Sequence, residues 1–503
     1  MKNKFSRKSL LLVSMTVVLA TVINLFAGVV AFADDATTTD VIEIESAEEL
    51  AKIGNDAAYP ASGNYKLVTN LSLSGEWTPL PAFSGTFDGN GHTISGLSFT
   101  ITNGTDDAAF GMFLKVTGTG EVKNLTLTDV DINVTATIRT SVGAIAGATA
   151  DTAKIYNCKV SGEITVEYTA GSSGKGRTRV GGILGFANSD VKYCESNVEI
   201  TVTTNYTAAD DYKNACYAGG IVGQGLGTVA YCVNNGTVKA TATAAGPAYA
   251  GGICGTNVTW GGSAVTLESC VNNGTVSATN GASGILGYIS SNNVATLKNN
   301  FNFGTVTSDG YAGQILAYNN NSANPTAEKN YGLESNGKLG GNVDDAVVGA
   351  TDTKENMLIN QPTLGTQVVG YQTSGATTAN TFDLRLVATM EGGYANLTNV
   401  GFTVSASYGD VTKDEQTFTI ETLYNSISAE ANTKAEKEYT AEDLGGNYIF
   451  VLACKNLPQN VGYITFTVTT FYTDANGTHS NMVQTFTVNS NDIPSADMPE
   501  AAA

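Results

Sequence analysis

The heptapeptide CVNNGTV occupies residues 232–238 and recurs at residues 270–276, 38 positions further along the chain. Related segments extend the series, with YNCKVSGEITV and KYCESNVEITV before it and KNNFNFGTVTS after it. Glycine-rich phrases alternate with these segments, as in RVGGILGF, YAGGIVGQ and YAGGICGT. The chain is therefore built from internal repeats, and the repeats decide the fold class.

One central apolar residue marks each glycine-rich phrase, and these residues are spaced 30 to 38 positions apart. They are Met112, Ile145, Ile183, Ile221, Ile253, Ile285 and Ile315. Each unit holds two or three short runs rich in Val, Ile and Thr, without helical periodicity. So short a unit can bury its apolar face only by stacking on its copies. The fold class is therefore predicted to be all-β, with a right-handed parallel β-helix of seven coils in residues 34–348.

Equivalent positions of successive coils lie one above another in a β-helix, about 4.8 Å apart. One repeat position is predicted to form a structural column of cysteines: Cys158, Cys194, Cys232 and Cys270. We favour buried, reduced thiols, although this spacing also permits disulfides. A second column is predicted to hydrogen-bond through its amides: Asn234, Asn272 and Asn302. Three glycines are predicted to permit a backbone turn that a Cβ would disfavour: Gly236, Gly274 and Gly304.

The two ends of the rod are predicted to be closed by short helices. Ser46 and Glu49 form a capping box at the N-terminal end, which places Leu50 and Ile53 over the first coil. Asp352 and Glu355 stand in the same relation within residues 349–363, interpreted as a capping helix and linker. From residue 364 to 490, apolar and polar residues alternate between Gly and Asn turns without repetition, which predicts a β-sandwich. Residues 491–503 are predicted to be a disordered tail.

The N-terminus has the pattern of a secretory signal peptide. Lys2, Lys4, Arg7 and Lys8 precede an apolar run, and Ala31-Phe32-Ala33 gives the small-x-small cleavage pattern. Removal of residues 1–33 takes away four basic residues and leaves 22 Lys and Arg against 46 Asp and Glu, a net charge of −24. An uncleaved membrane anchor is the alternative. We predict a secreted or cell-surface protein that binds neither nucleic acid nor, after cleavage, the membrane.

The phrases GGILGF, GGIVGQ and GGICGT, followed by C-x-N-x-G-x-V, resemble the GLUG-type repeats of bacterial surface and secreted proteins. FDGNGHTISGL at residues 87–97 is similar to the first coils of that group. The predicted sandwich resembles modules appended to many clostridial secreted proteins. The resemblance implies a β-helix over roughly residues 41–360 and leaves the activity open, because such repeats occur in adhesins and in accessory parts of surface peptidases.

Catalytic motifs are sparse in this sequence. It contains two histidines and lacks the HExxH, GxSxG, Walker and C-x-x-C patterns, so no cofactor or metal site is predicted. β-Helix enzymes that degrade polysaccharides place several carboxylates on adjacent coils. The candidates for that role are Asp88, Asp129, Asp131, Glu163, Glu195 and Glu199. A lyase or glycoside hydrolase is therefore the alternative to the preferred interpretation of a non-catalytic protein.

The preferred interpretation is a binding or adhesion protein for an extracellular glycan or protein. Segments inserted before the glycine-rich phrases of the middle coils must project from one corner of the rod, a common place for a binding surface. The ligand-binding residues predicted in and beside these insertions are Lys175, Arg177, Arg179, Tyr206, Tyr212 and Tyr217. Trp260, on a Gly-rich loop, is predicted either to stack on sugars or to pack against its own rod.

Overall fold

The structure is a computed structural model. It describes residues 41–150, 152–169, 177–206, 215–258, 263–354, 356–357, 363–373, 381–392, 397, 399–409, 411–420, 424–425, 448–474, 477–480 and 484–493. The predicted signal peptide, residues 1–33, lies outside the described residues, and so do Glu355 and the tail after Ile493.

The repeats form a parallel β-helix in which each complete coil contributes to four faces. Within the described chain, faces 1 and 2 have seven strands each, face 3 has ten and face 4 has fourteen. Following the chain, a coil runs through face 1, face 2, face 3 and face 4 and then returns to face 1. The predicted fold class and its seven coils are therefore confirmed.

Faces 1 and 2 are built from short strands on either side of each glycine-rich turn. Face 1 consists of Ala108–Phe110, Thr140–Gly143, Thr178–Gly181, Cys216–Gly219, Ala248–Gly251, Gly281–Ser283 and Tyr311–Gly313. Face 2 consists of Phe113–Val116, Ala146–Thr149, Leu184–Ala187, Val222–Gly225, Cys254–Thr256, Leu286–Ile289 and Leu316–Asn319.

Faces 3 and 4 begin before the first complete coil. Face 3 consists of Val41–Ile44, Asn64–Leu67, Thr86–Asp88, Glu121–Lys123, Lys154–Tyr156, Asp190–Lys192, Thr228–Ala230, Ala264–Glu268, Val294–Lys298 and Thr326–Glu328. Face 4 consists of Leu71–Ser72, Thr93–Ser95, Ser98–Asn103, Thr126–Ala136, Lys159–Tyr168, Glu195–Thr204, Val233–Asn234, Val238–Ala242, Val271–Asn272, Val276–Ala278, Phe301–Asn302, Val306–Ser308, Tyr331–Leu333 and Ala350–Asp352.

One continuous apolar core fills the interior of the rod. The seven apolar residues that mark the repeats all lie at the turn from face 1 to face 2, and all are fully buried. The glycines beside them make this turn sharp. A Cβ on Gly181 would lie 2.1 Å from the carbonyl oxygen of Leu184, and one on Gly251 would lie 2.0 Å from that of Cys254. This close backbone approach therefore favours glycine at the turn, although Ser283 takes the same position in the sixth coil.

The glycines of CVNNGTV lie, as predicted, where a Cβ is disfavoured, and the reason is the close approach of a neighbouring backbone. Gly236, Gly274 and Gly304 do not adopt left-handed φ angles. A Cβ on Gly236 would lie 2.0 Å from the Val198 carbonyl oxygen of the preceding coil, so close backbone approach excludes side chains there. The left-handed residues come earlier in the turn, at Tyr231 with φ 54° and Ser269 with φ 55°.

The N-terminal cap forms as predicted. In the helix Ala47–Lys52, the backbone N–H of Glu49 donates to Ser46 Oγ at 3.3 Å, and Leu50 and Ile53 are buried in the core of the rod. The Glu49 carboxylate accepts from the N–H of Glu45 at 2.8 Å, one residue before the position that a standard capping box would use.

The C-terminal cap differs from the predicted one. Its helix, Asp345–Val348, begins after Asp344, whose side chain accepts from the N–H of Ala346. A 3₁₀ turn at Glu334–Asn336 precedes this helix. Ala350–Asp352, predicted to belong to a capping helix, instead pairs in parallel with Tyr331–Leu333 and extends face 4. Thr353, rather than Asp352, then accepts through its side chain from the N–H of Asn356, in a short helical turn.

The C-terminal part forms two antiparallel sheets around a second core. One sheet contains Thr363–Thr373, Thr381–Gly392, Tyr448–Pro458 and Tyr424–Asn425. The other contains Val411–Ile420, Asn399–Tyr408, Tyr463–Asp474, Gly477–Ser480 and Gln484–Asn489. A 3₁₀ turn, Ser490–Asp492, follows, and Ile493 packs in the core. The ordered module therefore continues past its predicted end at residue 490.

Candidate functional site

The side chains that point outward from faces 1 and 2 converge where the two faces meet. On face 1, Ala248 and Ala250 face the interior, so Tyr249 between them faces outward. Across the turn, the ring of Tyr249 lies 4.6 Å from that of Tyr288 on face 2. We call this surface the outer corner, which comprises Ser141, Arg179, Tyr217, Tyr249, Gly281 and Tyr311 of face 1 with Ala148, Phe186, Gln224, Thr256, Tyr288 and Tyr318 of face 2.

The N-terminal half of the outer corner is an ion-pair network. Arg179 pairs with Asp107, and its guanidinium lies 4.8 Å from the centroid of the Phe186 ring. Arg139 pairs with the same carboxylate at 3.2 Å and with Asp106 at 3.4 Å. Since Arg179 is only 4% exposed, burial lowers its pKa to about 10, although the Asp107 charge opposes that shift. Burial would raise the pKa of Asp107, but attraction to the arginines lowers it below its usual value.

The structure places the described members of the predicted ligand site mostly in the interior of this corner. Arg177 and Arg179 are buried, and Tyr217 is 0% exposed because Ala215 and Val258 pack against it. Tyr206 keeps a partly exposed ring 6.2 Å from Tyr168. Lys175, Tyr212 and Trp260 lie outside the described residues. Ligand binding by these residues stays a prediction. The burial of Arg179 and Tyr217 shows that a side chain can point outward from the rod at this corner and still be covered from solvent.

The C-terminal half of the outer corner is a cluster of tyrosine rings separate from the core of the rod. Tyr217 stacks on Tyr249 at 5.9 Å, Tyr288 stacks on Tyr318 at 5.7 Å, and Tyr311 lies 4.7 Å from Tyr318. Four of these tyrosines, Tyr249, Tyr288, Tyr311 and Tyr318, are not among the residues predicted from the sequence to bind a ligand. The repeats do contain a signal for them. The phrases YAGG and YAGQ begin with the face 1 tyrosines, and the phrases LGY and LAY end with the face 2 tyrosines.

Two buried columns stabilise the rod behind this surface. In the first, Cys158, Cys194, Cys232 and Cys270 are buried, and none of the seven cysteines is in a disulfide. The Cys232 thiol lies 3.3 Å from the Ala230 carbonyl oxygen. Its pKa is raised by burial and by hydrogen bonds with the neighbouring thiols.

The second column is an asparagine ladder. The Nδ2 of Asn234 donates to Oδ1 of Asn272 at 2.8 Å, and the Nδ2 of Asn272 donates to Oδ1 of Asn302 at 2.8 Å. Each of the three amides also donates to the carbonyl of the glycine two residues later. All three side chains are fully buried. The ladder therefore links three coils along the axis of the rod.

The candidate catalytic carboxylates lie mainly on face 4. Asp131 is in register with Glu163, and Glu163 is in register with Glu199, so three exposed acids follow one another on adjacent coils. Glu195 instead pairs with Lys159 at 3.1 Å. Among the described residues, no group of three or more His, Cys, Asp or Glu side chains is placed to hold a metal ion.

Comparison with known proteins gives only partial matches. No protein-family model matches the chain. It is 32% identical to halomucin of Haloquadratum walsbyi over 150 residues, which are 26% of this chain and 2% of halomucin. It also matches the structure of a proposed immunoglobulin A1 protease from Bacteroides ovatus with 18% identity and a TM-score of 0.42, over 64% of this chain and 87% of the other. In the described part of the chain, no helix is both long and apolar enough to span a membrane. The matches assign neither a family nor an activity to this chain.

Proposed function

We propose that this chain is an exported, non-catalytic binding or adhesion protein that recognises an extracellular glycan or protein. The observation that carries the proposal is the outer corner, where outward-facing columns of two faces converge and end in partly exposed tyrosine rings. Tyrosines give large contact areas at a low cost in conformational entropy, which suits a recognition surface. A rod fixed by buried columns holds them in place without a ligand.

Features of the sequence support the same proposal. The predicted signal peptide supports a location outside the cytoplasm, secreted or at the cell surface. The GLUG-type resemblance of the repeats and the clostridial-type resemblance of the sandwich agree with that location. The partial match to a protein named halomucin is compatible with it. The acidic mature chain disfavours nucleic acid and anionic membranes as partners.

A polysaccharide-degrading enzyme is the second candidate, and the column of acids on face 4 favours it. Adjacent strands of a sheet are about 4.8 Å apart, close to the carboxyl separation of about 5–5.5 Å in retaining glycosidases. The side chains already bind neighbours of their own, since Asn133 donates to Asp131 at 2.7 Å and Thr165 donates to Glu163 at 3.0 Å. In the following coil the register position of Glu199 passes to Thr237, which ends the acidic column.

The test applies mature protein, residues 34–503, to an array of glycans and extracellular-matrix proteins and separately incubates it with soluble polysaccharides. We expect retention on one ligand class, with no release of reducing ends or unsaturated products. Product release that is lost in the double variant Glu163→Gln, Glu199→Gln would replace the proposal with the enzyme. Failure to bind any glycan or matrix protein would also contradict it.

A further inference from the structure

The tyrosine cluster changes from covered to open along the axis of the rod. Tyr217, in the fourth coil, is 0% exposed, and Tyr288, in the sixth, is 3% exposed. Tyr249 and Tyr318 are partly buried, while Tyr311, in the last coil, is 43% exposed. The open end presents ring surface to solvent on a fixed support.

Gly281 shapes this open end. It occupies the face 1 position between Tyr249 and Tyr311, so the column of outward side chains has a gap in the sixth coil. A Cβ there would lie 2.9 Å from Cδ1 of Tyr249 and 3.4 Å from Cβ of Ala317. The Tyr249 ring therefore lies beside the gap, 6.3 Å from the Tyr318 ring. The rings form a compact platform instead of a simple vertical stack.

One amide contacts the tyrosine cluster, and a second is hydrogen-bonded to the backbone next to Tyr318. Asn320 donates through Nδ2 to the Tyr288 hydroxyl at 3.0 Å. The Oδ1 of Asn342 accepts from the N–H of Asn319 at 2.7 Å, and its Nδ2 donates back to the Asn319 carbonyl at 2.9 Å. Amides offer both donors and acceptors, which is the hydrogen-bonding character that hydroxyl groups require. The Asn320 amide therefore adds a polar group beside the apolar surface of the rings.

The platform carries no formal charge on its strands. The sequences AYAG, GAS, YAG, CGT, LGYI and LAYN, which build the last three coils of faces 1 and 2, contain no Asp, Glu, Lys or Arg. The described ion pairs of the outer corner lie in its N-terminal half instead. An acidic ligand would therefore meet no cation on these strands, whereas an uncharged ligand would not suffer desolvation of a charge.

We infer that Tyr249, Tyr311 and Tyr318 form a binding subsite for a neutral glycan, which stacks the C–H face of a sugar ring on the exposed tyrosine and bonds its hydroxyls to the amides. This inference rests on the proposed function and narrows its ligand class. Aromatic rings bind apolar surface by burial, and tyrosine is among the residues whose truncation most weakens an interface.

The test uses mature protein, with mannohexaose and cellohexaose as neutral probes and trigalacturonate as the acidic probe, in titration calorimetry. The variant is Tyr311→Ala, and the matched control is Tyr463→Ala, in the sandwich, where the tyrosine is 67% exposed. We expect a neutral hexasaccharide to bind wild type and control alike and to bind Tyr311→Ala about tenfold more weakly. Thiol labelling of the buried cysteines checks that the variant keeps its fold, and Tyr311→Phe should retain the stacking contribution.

Three results would overturn the inference. Unchanged hexasaccharide binding in folded Tyr311→Ala would place the glycan site elsewhere and leave the proposed function intact. Binding of trigalacturonate but of neither neutral probe would replace the neutral ligand with an acidic one and equally leave the proposed function intact. Absence of binding to all three probes would remove the subsite. The matrix-protein arm of the array then decides separately whether the protein is a binding protein at all.

Discussion

Replacing Asn272 with leucine is expected to destabilise the β-helix by about 2–4 kcal/mol. The Asn272 side chain is fully buried, accepts from Asn234, and donates to Asn302 and to the Gly274 carbonyl. Leucine has a similar shape but removes all three hydrogen bonds. Each bond contributes about 0.5–1.5 kcal/mol net, and partners left buried without a bond add to the loss.

The neighbouring residue provides a matched control. Asn273 also donates an amide hydrogen bond between coils, to Asn235 at 2.8 Å, but this bond is exposed. Water replaces an exposed partner, so Asn273→Ala should change the free energy of unfolding by less than about 0.5 kcal/mol. The two substituted residues are adjacent in sequence, but Asn272 lies on the buried side of the sheet and Asn273 on the exposed side.

Urea unfolding read by pulsed iodoacetamide labelling and peptide mass spectrometry measures the effect in the rod alone. All seven cysteines are free and buried, and Cys232 and Cys270 lie on the coils that Asn272 connects. The expected result is a lower urea midpoint for labelling of both thiols in Asn272→Leu and an unchanged midpoint in Asn273→Ala. Equal midpoints in the two variants would refute the argument that the buried ladder stabilises the rod.

Three further predictions concern other parts of the rod. Gly236→Ala should cost about 3 kcal/mol because its Cβ would meet a backbone oxygen, whereas Gly104→Ala, with open space around it, should be neutral in the same urea assay. Glu199→Gln should stabilise the protein by about 0.5 kcal/mol at low salt, since Glu199 lies in register with Glu163, and a gain that persists at about 1 M salt would contradict a charge effect. The lowered pKa of Asp107 stabilises the fold above the unfolded-state value of about 3.9, and that stability is lost as pH falls through the folded-state pKa. Asp107→Asn should therefore lower the melting temperature at neutral pH and converge with wild type in acid; a constant difference across pH would argue against it.

The architecture was predictable because similar segments recur along the sequence at nearly constant spacing. The spacing of Ile183, Ile221 and Ile253 predicted the succession of coils. Ser46 with Glu49 predicted the start of the N-terminal helix, because a helix cap depends on residues close in sequence. The sequence predicted that a Cβ is disfavoured at Gly236 but not the source of the constraint, which is a backbone oxygen of the preceding coil, 38 residues earlier at Val198. Such an approach depends on register, which a single unit does not reveal.

The candidate site was less predictable than the fold. Arg179 looks like a surface cation in its insertion, but it is buried and pairs with Asp107, two coils earlier. Tyr311 looks like the tyrosine of every other YAG phrase, yet its exposure follows from its position in the last complete coil. Burial of outward-facing side chains is set by neighbouring coils and by packing outside the rod, and neither is encoded in the periodicity.

Hydroxyl-radical footprinting of the mature protein with a saturating neutral hexasaccharide tests most directly whether recognition takes place at the outer corner. Mass spectrometry then compares the oxidation of individual tyrosines with and without the sugar. Protection of Tyr311 and Tyr318, with Tyr463 unchanged, is the predicted result. Protection confined to peptides of Lys159–Tyr168 and Glu195–Thr204, on the acidic side of face 4, would contradict the account and favour the enzyme.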